Sequence, residues 1–170
     1  MHSRIQMALM GVLAVAMLAA VGCQGNGDGQ PGSRADRLAS VQPVEILDRT
    51  AGSAGEAIQH PGWKLVKTQE ELDELGLELD REVDFDKYDL VVQSLGQRNT
   101  GGYWVHIKSV EREGNVLWVR SVVNRPGEGQ PTTQQITYPY GAVLIRDTPA
   151  TRLRTSTESV TGQAPPSAGN

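Results

Sequence analysis

The chain has 170 residues, a formal net charge of −4 and one cysteine, Cys23. The acidic balance and the lack of a basic block argue against a nucleic-acid partner. A single cysteine forms no intramolecular disulfide, so the fold must depend on its hydrophobic core. Because Phe85 is the only phenylalanine, we expect that core to be aliphatic.

The N-terminal segment has the layout of a secretory signal. Arg4 precedes an apolar run from Ile5 to Val21, and small residues lead into Cys23. This layout is typical of exported proteins, and it resembles a bacterial lipobox, in which the cysteine becomes lipidated after cleavage before it. Several acyl chains on one residue anchor far more firmly than one chain. We therefore predict a signal peptide over residues 1–22 and a lipid anchor at Cys23, on the extracytoplasmic side of the bacterial cell envelope.

Two other interpretations of this segment stay open. An apolar run of this length is at the short limit of a transmembrane helix. The segment could also be an ordinary signal peptide that leaves a free thiol at Cys23, which would have no partner for a disulfide. The sequence does not distinguish an inner from an outer membrane.

Composition divides the remaining chain into three parts. Residues 23–40 are rich in glycine and polar residues, which predicts a flexible tether. Residues 149–170 are rich in Thr, Ser, Pro and Ala, and we expect a disordered tail there. Its Arg152 and Arg154 could contact a partner or remain solvated. A folded domain is expected between the two ends, over residues 41–148.

One helix is predicted in this domain. Thr68 and Glu71 have the spacing of a capping box at a helix N-terminus. Leu72, Leu75 and Leu79 then recur at helical spacing, which predicts a helix with one buried face over residues 68–79. Before this helix, the sequence predicts a loop from Ala51 to Gly62 and then a strand over Trp63–Lys67.

The rest of the domain has the alternation of β-strands. Apolar or alternating segments predict strands near Val44–Leu47, Leu90–Leu95, Tyr103–Val110, Val116–Val123, Ile136 and Ala142–Ile145. Turn residues at Gly114 and in the long loop 124–132 separate them. The fold class is therefore mainly β (α+β), as an antiparallel β-sandwich or a barrel-like sheet with one short α-helix.

Alternation also predicts which side chains face outward. Val105 and Ile107 share one face of their strand, and Trp104, His106 and Lys108 share the other. On the returning strand, a change of one residue in the turn would exchange the two faces. We favour the register that places Leu117, Val119 and Val123 inward, with Trp118 and Arg120 outward beside Trp104.

The order of these segments resembles the PrcB family, in its C-terminal domain. The resemblance rests on Thr100-Gly101-Gly102-Tyr103 opening one strand, on the hairpin return Val116–Val123, on Pro126-Gly127-Glu128-Gly129, and on Gln134–Tyr140 before a last apolar strand. It spans about residues 44–147. It implies a small envelope protein that acts as a non-catalytic accessory subunit and stabilises an extracytoplasmic protease complex.

Two loops and the outward tryptophans are candidate sites for a protein partner. The glycines and prolines of the loops could equally serve only to shape them. The loop Asn99–Trp104 also resembles a loop of chagasin-like peptidase inhibitors, which insert glycine-rich loops into a protease cleft; an inhibitor-like module is thus an alternative. The candidate partner-binding residues are Asn99, Thr100, Gly101, Gly102, Tyr103, Trp104, Trp118, Arg125, Pro126 and Gly127.

Catalytic motifs are hard to find in this sequence. The region after Cys23 has two histidines, His60 and His106, and contains no nucleophile or zinc motif. Asp84 and Asp86 could bind calcium, but capping of a loop is the favoured role. We therefore predict a protein that is not an enzyme and has no cofactor or metal, with an uncharacterised envelope enzyme as the alternative.

Overall fold

The computed structural model describes residues 40–77 and 79–166, so Cys23 and most of the predicted tether lie outside the described residues. The described part is mainly β, as the sequence predicts, with one short α-helix. The strands are β1 (Gln42–Val44), β2 (Ile46–Ser53), β3 (Pro61–Val66), β4 (Tyr88–Leu95), β5 (Trp104–Glu113), β6 (Val116–Arg125), β7 (Pro139–Arg146) and β8 (Arg152–Thr161). A 3-10 turn covers Glu56–Ile58, and helix α1 covers Gln69–Leu75.

The strands form two four-stranded sheets that pack as a sandwich. The front sheet has the order β1-β5-β6-β8, and the back sheet has the order β2-β7-β4-β3. Neighbouring strands are antiparallel except β6 and β8, which are parallel. The sandwich prediction is therefore confirmed, and the described strands do not close into a barrel.

Two apolar clusters cover the two faces of the back sheet. Val91, Val143 and Ile145 point toward the front sheet, where they meet Ile107 and Leu117. The opposite face packs against the helix side of the protein, through residues that include Leu72, Leu77, Val83, Leu90 and Leu144. Strands buried on both faces have continuous apolar sequences, which is why Leu90–Val92 and Ala142–Ile145 contain no polar residue.

The inner face of the front sheet is apolar. Val105 and Ile107 are 3% and 2% exposed, and Val119 is 1% exposed. The predicted hairpin register is therefore confirmed, with Trp118 outward. A shift in the pairing between Ile107 and Ser109 leaves Lys108 as an extra residue, and this bulge lets Val110 point inward again.

Helix α1 begins as predicted but is shorter than predicted. The Thr68 hydroxyl accepts a hydrogen bond from the Glu71 amide at 3.2 Å, and the Glu71 carboxylate accepts one from the Lys67 amide at 2.7 Å. The helix ends at Leu75 because Gly76 adopts the left-handed conformation, with φ 58°, and donates to the Asp73 carbonyl. Leu79 still contacts the apolar cluster, although it lies beyond the helix.

The predicted disordered tail is wrong over much of its length. Residues 152–161 form β8, which pairs with β6 along the whole of that strand. Hydrophobicity does not reveal β8, because it is an edge strand in which only Leu153 and Val160 are partly buried. Its β-branched threonines nevertheless suit a strand. The folded domain therefore extends beyond residue 148.

Two smaller expectations about strands are also wrong. Ile136 lies outside any strand and is 53% exposed, because the chain enters the back sheet only at Pro139. The segment predicted as a loop from Ala51 to Gly62 contains the end of β2, the 3-10 turn and the start of β3. Small residues fit β2 there because Gly52 lies directly beside the Tyr140 ring.

Candidate functional site

The two predicted loops lie together at one end of the sandwich. The Gly101 amide donates to the Thr133 carbonyl at 3.0 Å, and the Thr137 hydroxyl donates to the Thr100 carbonyl at 3.0 Å. The Asn124 side chain donates to the Gly102 carbonyl at 3.1 Å. The loops that contain Asn99–Trp104 and Arg125–Gly127 are therefore joined to each other and to the end of β6.

The loop glycines have conformational roles. Gly102 has φ 85°, and a Cβ built there would lie 3.2 Å from Pro126 and from Thr132. Pro126-Gly127 does not form a type II turn, because the residue with positive φ in this loop is Gly129, at 75°. The turn instead spans residues 127–130 and is closed by the Gln130 amide bonding the Gly127 carbonyl at 3.1 Å.

Trp104 and Trp118 share the outer face of the front sheet but lie at opposite ends of it. Trp104 pairs with Asn124, whereas Trp118 pairs with Glu111. Six residues of β6 separate the two positions, which corresponds to about 20 Å. Trp104 is half-buried, and its indole N–H donates to the Gln163 carbonyl at 3.0 Å. The expectation that the two side chains form one adjacent pair is therefore wrong.

Trp118 is the centre of a more compact group, which we call the Trp118 patch: Trp118, Arg154, Glu113, Arg120 and Glu111. The Arg154 guanidinium lies 5.0 Å from the centre of the Trp118 ring, and the indole N–H donates to the Glu113 carboxylate at 3.2 Å. Arg120 pairs with Glu111 at 3.2 Å. These contacts fix the indole while leaving Trp118 36% exposed.

The Trp118 patch borders a shallow depression of about 670 Å³. The residues that line it include Trp118, Arg120, Arg154 and Ser156. Arginine stacked on an indole offers a flat surface that is apolar on its face and charged at its rim. Such a surface suits contact with a protein partner, because Trp and Arg dominate binding energy where water is excluded.

The outer face also contains a histidine. His106 has a lowered pKa because it is partly buried and because the positive charges of Arg49 and Lys108 are close to it. Lys108 is itself paired with Glu158 of β8 at 3.0 Å. His106 is therefore held toward its neutral form, which favours packing and hydrogen bonding over charge pairing.

The acidic residues proposed for other chemistry are engaged in structural contacts. Asp84 pairs with Lys87 at 2.6 Å and accepts the Asp86 amide at 3.1 Å, and bonding to Lys87 lowers the Asp84 pKa. Asp89 lies in the back sheet, bonded to Lys67 at 2.7 Å. Within residues 40–77 and 79–166, no group of three or more His, Cys, Asp or Glu side chains could hold a metal ion. None of the described helices is long and apolar enough to cross a membrane.

Sequence reasoning did not connect Arg154 with Trp118, and it did not single out Glu111 or Glu113. Arg154 was assigned to the disordered tail, but β8 places it directly beside Trp118, its register partner on β6. The only available signal was the alternation Arg152-Leu153-Arg154, in which one apolar residue is flanked by two cations. Three residues are too few to predict a strand, and only the pairing of β8 with β6 shows that Arg154 lies beside Trp118.

The central strands of this sandwich also match a known family. Residues 90–146, which run from β4 to the end of β7, match the family model described as PrcB C-terminal. This segment is similar to the PrcB C-terminal family. The resemblance expected from the sequence is thus confirmed for the strands that contain the loops and Trp118. No curated protein and no solved structure matches the chain.

Proposed function

We propose that this protein is a non-catalytic accessory subunit that binds an extracytoplasmic protease complex through the Trp118 patch. The observation that carries the proposal is an indole fixed by Arg154 and Glu113 yet 36% exposed on the outer face of a sheet. Folding alone gives no reason to hold a tryptophan in that position. A partner that covered it would gain a preorganised aromatic anchor.

The family supplies the class of partner. PrcB proteins are associated with protease complexes, and the matching segment includes β5 and β6, which contribute four members of the patch. Arg154 comes from β8, outside the matching segment. We infer that the family domain provides the docking face and that β8 completes it.

The sequence of the N-terminal segment supports a lipid anchor at Cys23, on the extracytoplasmic side of the bacterial membrane. We expect Cys23→Ser to remain an uncleaved precursor or to be released from the membrane fraction. The measurement is incorporation of radiolabelled fatty acid into the wild-type chain and the variant. Equal fractionation of the two proteins, with no label in the wild type, would contradict lipidation.

Photocrosslinking in intact cells tests the docking face. A benzophenone amino acid replaces Arg120, beside Trp118, or Glu70, which is exposed on helix α1 on the other side of the protein. We expect position 120 to crosslink to an envelope protease subunit identified by mass spectrometry, and position 70 not to do so. The crosslink should disappear when Trp118→Ala is added.

Two results would overturn the proposal. One is a crosslinking pattern that is the same at both positions, or that persists in Trp118→Ala protein whose melting temperature is unchanged. The other is loss of crosslinking only when Asn99 and Thr100 are changed. That second outcome would favour the inhibitor-like alternative, in which the loops enter the protease cleft.

A further inference from the structure

A second concave site lies between the two sheets, at the edge formed by β3 and β8. It is a cleft of about 530 Å³, within the range of ligand sites in proteins. Residues of β3 and β4 form one wall, and Tyr103, Val123, Thr157 and Ser159 belong to the other. It lies between the sheets, whereas the Trp118 patch is on the outer face, so this site does not depend on the proposed function.

The cleft exists because β8 has small polar side chains on its inner face. Near the start of β8, Leu153 fills the space between the sheets together with Leu65 and Trp63. Farther along, Thr157 and Ser159 take the place of apolar residues and leave the sandwich open. The apolar core ends there in a small cluster of Leu95, Val105 and Val123, and Tyr103 packs against this cluster.

A buried amide at the cleft has an unused hydrogen-bonding atom. Gln93 is 5% exposed, and its Nε2 donates to the Thr157 hydroxyl at 3.3 Å. That hydroxyl also bonds the Ser121 hydroxyl at 3.2 Å, so a polar chain crosses from the back sheet to the front sheet. The Gln93 Oε1 has no hydrogen-bond partner among the described residues. Buried acceptors are nearly always paired, so this atom indicates a missing N–H or O–H donor.

The charge of the cleft is positive in an acidic protein. Its only charged lining residues are Arg98 and Arg125, whereas the whole chain has a net charge of −4. Arg98 is stacked at 5.4 Å over the Tyr103 ring, which fixes its guanidinium. Among the described residues, neither arginine has a carboxylate within ion-pair distance. The pair is therefore available to an anion.

From these observations we propose that the cleft binds an extended peptide segment through a carboxylate. Arg98 and Arg125 hold the carboxylate, since planar guanidinium groups match its geometry. A backbone N–H of the peptide supplies the donor for Gln93 Oε1, and Tyr103 and Val123 cover apolar side chains. Both bordering strands are sheet edges, because β3 pairs only with β4 and β8 only with β6 among the described strands. An extended peptide can bond to such edges.

Calorimetric titration of the full-length protein in detergent micelles tests this proposal. The probes are N-acetyl-trivaline as the free acid, its carboxamide, and N-acetyl-Val-Asp-Val carboxamide. We expect millimolar or tighter binding of at least one carboxylate-bearing peptide and none of the neutral carboxamide. Binding of the free acid assigns the site to a chain terminus, and binding of the aspartate peptide assigns it to an acidic side chain.

Variants identify the cleft as the place of binding. Arg98→Gln and Arg125→Gln should each weaken binding about tenfold, the loss of one charge-assisted hydrogen bond. Arg120→Gln, on the outer face, is the matched control and should leave the affinity unchanged. In nuclear magnetic resonance spectra, the side-chain amide signals of Gln93 should shift when the carboxylate peptide is added.

Three outcomes would overturn the proposal. The first is equal binding of the neutral carboxamide and the free acid to the wild-type protein, a comparison that needs no variant. The second is binding of acetate as tight as that of the peptides, which would indicate a site for small anions alone. The third is no heat of binding for either carboxylate peptide at millimolar concentration.

Discussion

Lys67 and Asp89 form an ion pair in which Asp89 is fully buried and the Lys67 side chain is 31% exposed. The ammonium lies 2.7 Å from the carboxylate and also donates to the Thr148 carbonyl at 2.6 Å. The Thr148 amide donates in turn to the same carboxylate oxygen at 3.0 Å. The pair therefore joins β4 and the residue that follows β3 to the segment that leads into β8.

Breaking this pair from one side should be costly. We predict that Lys67→Met lowers the free energy of unfolding by about 3 kcal/mol, because it leaves a buried carboxylate without its counter-charge. The double variant Lys67→Met/Asp89→Asn should be more stable than Lys67→Met, since it removes both charges. Urea unfolding measures both, and a double variant as unstable as the sum of the two single changes would contradict this account.

Strand β8 should be an essential part of the domain. A chain that ends at Thr151 loses the pairing along β6 and the contact of Leu153, and we expect it to lose at least about 3 kcal/mol of unfolding free energy. A chain that ends at Gln163 keeps β8 and should match the full-length protein. Thermal unfolding followed by tryptophan fluorescence compares them. Equal melting temperatures for the two shortened chains would show that β8 contributes nothing.

Gly102 and Gly114 provide a matched pair of glycine positions. Both have positive φ, 85° and 58°, but a Cβ at Gly102 would contact Pro126 and Thr132 whereas one at Gly114 would meet nothing within 4 Å. We predict that Gly114→Ala costs about 1 kcal/mol of backbone strain and Gly102→Ala about 2 to 3 kcal/mol. Chemical denaturation gives both values. A larger loss for Gly114→Ala would show that loop contact at Gly102 does not matter.

His106 should make the protein less stable at mildly acidic pH. Its pKa in the folded state is lowered by burial and by Arg49 and Lys108, whereas the unfolded chain has a histidine pKa of about 6.5. As the pH falls through that value the unfolded state gains a proton first, so stability decreases. We expect His106→Gln to reduce the loss of stability between about pH 7.5 and pH 5.

A titration of the His106 ring by nuclear magnetic resonance provides the direct measurement. It should report a pKa below the ordinary histidine value of about 6.5. A pKa for His106 above about 6.5 would contradict the prediction. So would a wild-type protein and a His106→Gln variant whose stabilities change in parallel with pH.

Alternation predicts side-chain direction only where a strand is buried on one face. Val105 and Ile107 were placed correctly from sequence because each inward residue is aliphatic, whereas Trp104, His106 and Lys108 are aromatic or polar. β8 was missed because neither of its faces is fully buried, so its sequence alternates only weakly. The shift at Lys108 leaves no local signal, because it depends on the pairing of Ile107 with Ser121 and of Ser109 with Arg120 on the next strand.

The same distinction applies to the candidate sites: local sequence predicts some of their residues, and the rest depend on how distant strands pair. Trp118 could be found from sequence, since a large aromatic residue at an outward position is unusual. Arg154 could not, because its contact with Trp118 requires a parallel pairing between strands far apart in the chain. The cleft at Gln93 depends on hydroxyl residues of β8 facing β4 across the sandwich, and no local pattern predicts such a contact.

The parallel pairing of β6 with β8 also places a constraint on the order of events during synthesis. β7 joins the back sheet before the chain returns to the front sheet, so the edge of β6 has no neighbour until residues 152–161 have left the ribosome or the translocation channel. During that interval, the backbone groups of β6 can pair with any extended segment nearby. Strand β8 is therefore the last to pair, and its pairing with β6 ends the period in which a strand from another chain could bind at that edge.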